Sequence, residues 1–207
     1  MTGQQRREQL LTVGRSLFAE KGFDATSVEE IASRAQVSKP VVYEHFGGKE
    51  GLYAVIVDRE VDALLGALTV ALSRGGHPKV TVEAAAFALL DYIEEHTDGF
   101  RILVRDSPVA QATGTFSSLI GDVASQAEHV LAAQFARQGL DVEYAPMYAQ
   151  MLVGMIALTG QWWLETRTPS KPEVAAHLVN LAWNGLRGLE PEPELTRTWQ
   201  SRTDTES

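Results

Sequence analysis

Apolar residues recur at helical spacing along most of the chain, and no stretch alternates apolar and polar positions long enough to predict a strand. Leu10, Val13, Gly14, Leu17 and Phe18 mark one face of a helix from about Gln4 to Lys21, which Gly22 stops. Ser27-Val28-Glu29-Glu30 has the S-x-x-E form of a helix start, in which the serine caps the third amide and a glutamate bonds back. Ile31, Ala32 and Ala35 give that short helix a small apolar face, and Gln36-Val37 makes a tight turn. A third short helix follows. Ser38 can cap it, and Pro40 fits its first turn, where the missing N–H has no intrahelical partner anyway. Val42 and Phe46, four apart, face inward. Lys49 opens a long helix through Leu52, Val55, Ile56, Val61, Leu64, Leu65 and Leu68. This pattern predicts a small three-helix head on a helical stalk.

Beyond the stalk, Ser73-Arg74-Gly75-Gly76-His77-Pro78 is a clear break. Val82, Ala85, Ala86, Leu89, Leu90 and Ile93 mark the next helix, ending near His96. A short helix from Asp98 to Asp106 is stopped by Ser107-Pro108, and a longer one from about Thr113 to Arg137 is closed by Gly139. Helices over Tyr144–Thr166 and Ser170–Leu189 complete the set. The last starts at Ser170-x-x-Glu173 with Pro172 in its first turn and stops at Gly188 and Pro191. The polar tail from Glu190 to Ser207 reads as disordered. The expected fold is all-α: a helix-turn-helix DNA-binding domain at 1–50, a helical effector-binding and dimerisation domain at 51–190, and a tail at 191–207.

The segment from Val37 to Leu52 carries the functional signal. Lys39, Val41, Tyr43 and His45 are left on the outward sides of the third helix, where a DNA groove would lie. The pattern V-S-x-x-x-aliphatic-Y-x-H-F-x-x-K-E-x-L is filled by Val37, Ser38, Val42, Tyr43, His45, Phe46, Lys49, Glu50 and Leu52. On these residues the chain, from about 6 to 66, resembles the TetR family of bacterial one-component transcriptional regulators. The resemblance implies that Lys39, Pro40 and Val41 open the recognition helix and touch bases, while Tyr43, His45 and Lys49 hold phosphates. Ser27 and Ser38, at the two helix starts, complete the candidate DNA-contacting set. Val28 and Glu29 depart from the pattern, standing where many relatives carry hydroxyl or basic groups that contact the DNA backbone.

Charge narrows the mode of binding. The net charge of −9 argues against a protein that coats nucleic acid, and the acidic excess is uneven: −1 over residues 1–60 and −8 over the remainder. A near-neutral head binds DNA if Arg6, Arg7, Lys39, His45 and Lys49 cluster on one face, through specific fit rather than a broad basic field. The chain has no cysteine, and its polar start lacks the apolar core of a signal peptide; both suit a cytoplasmic protein.

The last two helices need a partner. Met147, Met151, Met155, Leu158 and Trp162 form one stripe, and Ala149, Val153, Ala157 and Gly160 another, of small residues. A helix apolar on two faces is buried on both. The small stripe, with Leu178, Leu181 and Gly185 of the final helix, is the candidate homodimer interface, two helices from each subunit as the resemblance implies. A membrane span over Met147–Leu164 is the competing reading, weakened by Gln150, Thr159 and Gln161 and by the lack of a basic flank.

Aromatic and methionine side chains supply a candidate effector pocket: Phe87, Leu90, Phe100, Phe116, Met151, Met155 and Trp162. An ordinary core is the plain alternative for each. Arg101 and Arg105 could meet an anionic head, although pairing with Asp98, Glu94 or Glu95 explains them more simply. Phe100–Asp106 and Ala182–Leu186 resemble actinobacterial TetR-type regulators of lipid metabolism, which implies a long apolar, fatty acyl effector. No nucleophile elbow, phosphate-binding loop or H-E-x-x-H motif points to an enzyme, and Glu173 with His177 is too few ligands for a metal; no cofactor is expected. The expectation is a homodimeric, ligand-responsive regulator, a repressor by preference, on a near-palindromic double-stranded DNA site. A helical ligand-binding or scaffolding dimer without DNA binding is the alternative.

Overall fold

The computed structural model describes residues 1–105 and 115–194, the backbone alone at 115–117. Among these, α1 (Gly3–Lys21), α2 (Val28–Arg34) and α3 (Lys39–Phe46) form the head, and α4 (Lys49–Ser73) leads out of it. The larger part comprises α5 (Pro78–Glu95), α6 (Thr97–Val104), α7 (Thr115–Gln138), α8 (Ala145–Thr166) and α9 (Lys171–Arg187), with a 3₁₀ turn at Val142–Tyr144 before α8. No described residue lies in a strand.

Local chemistry sets the helix starts. Thr2 Oγ1 accepts from the Gln5 amide at 3.2 Å while Gln5 Oε1 accepts from the Thr2 amide at 2.8 Å. Ser27 accepts from the Glu30 amide at 3.2 Å, but the reciprocal bond is missing because Glu30 pairs with Lys21 instead. Ser38 occupies the cap position in extended backbone without a hydroxyl bond to the helix, so its expected cap is not made. Gly47 and Gly48, at φ 73° and 138°, carry the chain from α3 into α4 through backbone that other residues rarely adopt.

α4 belongs to both parts. Its first turns bury Leu52, Tyr53 and Ile56 in the head, where Tyr53 meets Phe18 edge to face at 5.1 Å. Gly14 of α1 lets α4 approach closely: a Cβ there would lie 2.7 Å from Leu52 Cδ2. Further along, Leu64 and Leu68 turn into the larger part. One apolar core therefore runs from Leu10 and Leu17 through Ile56 and Leu64 to Leu90, Phe100 and Val179. Because close-packed interiors transmit strain, a displacement at one end of this core is passed to the other. A second cluster, Leu131 and Phe135 with Ala145 and Ala149, joins α7 to α8.

α6 is short but central. It buries Phe100, Ile102 and Leu103, and its Gly99 lies against Glu60 of α4. Arg105, expected to pair with a nearby carboxylate, instead donates to the carbonyls of Phe18 and Ala19 at 3.3 and 3.1 Å. It thereby adds a charged donor at the C-terminus of α1, where the Phe18 carbonyl also accepts from the Gly22 amide at 2.9 Å. Among the described residues no helix is long and apolar enough to cross a membrane, which removes the span considered over Met147–Leu164. Position 106 and residues 113–114, at the expected ends of α6 and α7, and 195–207 of the expected tail lie outside the described residues.

Candidate nucleic-acid interface and effector cavity

α3 presents one face to the core and the rest to solvent. Val42 is fully buried, whereas Ser38, Lys39, Pro40 and Tyr43 are exposed and Val41 and His45 half-buried. Ser27 is exposed at the start of α2. Ser27, Ser38, Lys39, Pro40 and Tyr43 are thus open to solvent at α2 and α3, and Val41 and His45 partly so. Lys39 is paired with Glu29 of α2.

Two expected DNA cations are engaged within the head. Lys49 Nζ donates to the carbonyls of Phe23 and Thr26, each at 3.1 Å, and lies 4.4 Å from the centre of the Phe23 ring. Arg7 donates to the His45 carbonyl at 2.9 Å and stacks over Phe46 at 4.4 Å. Lys49 fastens the loop before α2, and Arg7 caps the end of α3. Spacing alone cannot distinguish such roles from phosphate contacts, because the bonded carbonyls are distant in sequence.

The larger part contains a partly open cavity of about 120 Å³. Leu64 and Leu68 of α4, Ala85 and Leu89 of α5, and Phe100 of α6 form one side; Val123, Leu131, Val153, Ile156 and Trp183 of α7, α8 and α9 form the other. Thr81, Gln134, Gln138 and Arg187 are its polar lining, and Arg187 is the one ionisable group among the described lining residues. Of the expected pocket residues whose side chains are described, only Phe100 lines this cavity. Leu90 is fully buried in the core, Met155 packs partly buried against it, and Met151 and Trp162 face outward. Phe87 faces a separate, open groove between α4 and α5. The side chain of Phe116 lies outside the description.

The two stripes of α8 are reversed relative to expectation. Ala149 is buried, Val153 and Ala157 line the cavity, and Gly160 abuts α5 so closely that a Cβ would lie 2.8 Å from Leu89 Cδ2. The large residues point outward instead: Met151 is 56% exposed, Leu158 64% and Trp162 50%. On α9, Leu178 is buried while Leu181 is 65% exposed, with Gly185 exposed one turn later. The small stripe lets α5 approach, and among the described residues the large stripe, Met155 excepted, is left exposed. Periodicity could not choose between them because both faces are apolar; the bulk of Leu89 and Ile93 on α5 decides.

A buried polar group missed from the sequence joins the two parts. Glu60 of α4, 5% exposed, meets Arg15 of α1 at 3.2 Å and the Tyr92 hydroxyl of α5 at 2.6 Å. Burial and the bond to Glu60 push the Tyr92 hydroxyl well above the ordinary phenol range, so it stays a donor. A glutamate inside an otherwise apolar helical stripe was the available signal.

A helix-turn-helix head with an exposed third helix, continuous through α4 with a helical domain around an apolar cavity, is the architecture of a DNA-binding transcriptional regulator. The family model described as bacterial regulatory proteins, tetR family, matches residues 10–56, and the tetracyclin repressor-like C-terminal domain matches 78–185. The chain belongs to the TetR family of transcriptional regulators, whose members are not enzymes, bind operator DNA and act as dimers. It is 31% identical over 192 residues to the HTH-type transcriptional activator FasR of Mycolicibacterium smegmatis, covering 88% of this chain and 83% of that one. It is 35% identical over 79 residues to the transcriptional repressor KstR2 of Rhodococcus jostii, covering 38% and 39% of the two chains. Among solved structures, a TetR-like regulator from Rhodococcus sp. RHA1 superposes with a TM-score of 0.71 at 25% identity, covering 89% of this chain and 97% of that one. A TetR/AcrR regulator from Thermobifida fusca gives 0.65 at 27% identity, with 87% and 98% covered.

Proposed function

We propose that the chain is a cytoplasmic, ligand-responsive homodimer that binds a near-palindromic operator and is switched by a mainly apolar small molecule. The observation that carries this reading is the cavity, because α4 supplies both one of its walls and the packing surface of the head. At about 120 Å³ it is smaller than the ~150 Å³ cavity that holds one benzene ring, so a long acyl chain fits wholly inside only if the helices part. Parting gives the ligand different affinities for two states, the requirement for an effector. Arg187 at the lining suits an occupant with an anionic head on an apolar tail, such as a fatty acyl compound.

Residues 1–50 serve as the DNA-binding unit and 51–190 as the effector and dimer unit. Lys39, Pro40 and Val41 meet bases, and Ser27, Ser38, Tyr43 and His45 meet the backbone. The outward apolar face of α8 and α9 meets its twin across a twofold axis, placing two α3 helices in grooves about 34–36 Å apart. Repression follows where the operator overlaps a promoter, and activation where it lies upstream. The two curated relatives bear one name of each kind.

Selection of bound fragments from genomic DNA supplies the operator. Titration of its complex with acyl-CoAs of graded length, free fatty acids and aromatic drugs then tests the effector. Acyl compounds are expected to change operator affinity with a chain-length optimum. A response confined to small polar metabolites would overturn the apolar-effector reading and leave the DNA-binding assignment intact.

A further inference from the structure

Lys39 stands first in the reading helix, yet its amine is held by Glu29 from the first turn of α2. Both side chains are exposed, 51% and 61%, so the pair lies on the surface a duplex must cover. The bond from Lys39 holds the Glu29 carboxyl below its usual range, so it arrives at DNA ionised. Resting on the assignment of Lys39 as a base reader, we infer that Glu29 is a specificity-determining residue, which competes with DNA for the Lys39 amine and repels phosphate from its surroundings.

The balance of energies makes this discriminating. An exposed ion pair contributes no more than about fivefold to an equilibrium. A guanine O6/N7 edge that accepts from a lysine contributes roughly five- to 150-fold. Guanine therefore takes Lys39 away from Glu29. A base without acceptors at that place leaves Lys39 with Glu29, and the stranded carboxylate faces the polyanion. On random sequence, where affinity comes from phosphates, Glu29 only subtracts. The result is a head that binds loosely everywhere except where the base beneath Lys39 accepts its amine, consistent with a head whose net charge is near zero.

The test compares wild type, Glu29→Gln, Lys39→Gln and the double variant on three probes. These are the selected operator, its single-base-pair variants across one half-site, and a random-sequence duplex. Glu29→Gln is expected to tighten the random duplex by about three- to tenfold and the operator by less than about twofold, lowering the specificity ratio. The lost preference falls at the base pair whose preference Lys39→Gln relaxes, and in the Lys39→Gln background removing Glu29 costs no further discrimination. Equal tightening on all probes, or loss of preference at a different base pair, would overturn the inference. Lys39→Gln without effect on any duplex would instead overturn the base-reading assignment beneath it. Unfolding midpoints of the four proteins report that the fold is intact, as exposed positions allow.

Discussion

The Tyr92 hydroxyl lies 2.6 Å from Glu60 Oε2, a bond between α5 of the larger part and the helix that carries the head. Arg15 of the head meets the other carboxylate oxygen at 3.2 Å, so Glu60 joins α1, α4 and α5 at one buried point. Leu89 stands one turn before Tyr92 on α5 and lines the cavity. A ligand that shifts α5 therefore acts directly on the Glu60 bond.

Tyr92→Phe removes one donor from this carboxylate without opening a large void. Loss of a bond to a buried charged group is expected to lower stability by about 1–3 kcal/mol. Urea unfolding of the full chain measures it, together with the shift in operator affinity on effector binding. An unchanged midpoint together with an unchanged effector response would remove Tyr92 from the coupling path.

Lys49→Ala releases the Phe23–Thr26 loop by breaking two carbonyl bonds and a ring contact. Stability is expected to fall by ~1–3 kcal/mol, with binding weakened on every sequence because α2 loses its anchor. Should the unfolding midpoint hold while the salt slope of DNA binding drops by about one, Lys49 leaves these carbonyls for a phosphate.

Leu158→Arg and Leu181→Arg place charge on the outward apolar face and are expected to yield monomers in sedimentation, with operator affinity lost along with bivalency. Gly160→Ala is expected to act differently, lowering stability by about 1–3 kcal/mol through overpacking against Leu89 and Ile93 while dimerisation persists in the folded fraction. If the arginine variants remain dimeric with normal affinity, the subunits meet elsewhere.

Ala85→Phe should fill the cavity from α5, abolishing the effector response while leaving ligand-free operator binding nearly intact. Arg187→Gln should instead weaken anionic ligands selectively and spare neutral ones of equal length. Thermal-shift titration separates the two outcomes. Equal loss for charged and neutral ligands in Arg187→Gln would remove it from head-group binding.

Much of this protein was written in its local sequence. The run from Val37 to Leu52 specified a helix-turn-helix and its family, since the turn glycines and the outward residues of α3 lie within a few positions of one another. The order of helices was legible for the same reason, because 3.6-residue periodicity is a local property. Ser27 and Ser38 mark the limit of that reading: both sit where a cap belongs, yet Glu30 bonds elsewhere and the Ser38 hydroxyl makes no cap.

What the sequence could not decide was which of two acceptable partners each side chain takes. Lys49 and Arg7 fitted phosphates, but the fold brings backbone carbonyls 23–38 residues away within reach of them. Both faces of α8 are apolar, and only the bulk of Leu89 and Ile93 turned the small face inward, leaving Leu158 and Trp162 outside. Glu60, Arg15 and Tyr92 carry no motif, and 45 and 32 positions separate the pairs. Composition and spacing fix what a residue is able to do; the partner is chosen by long-range packing, which no local pattern encodes.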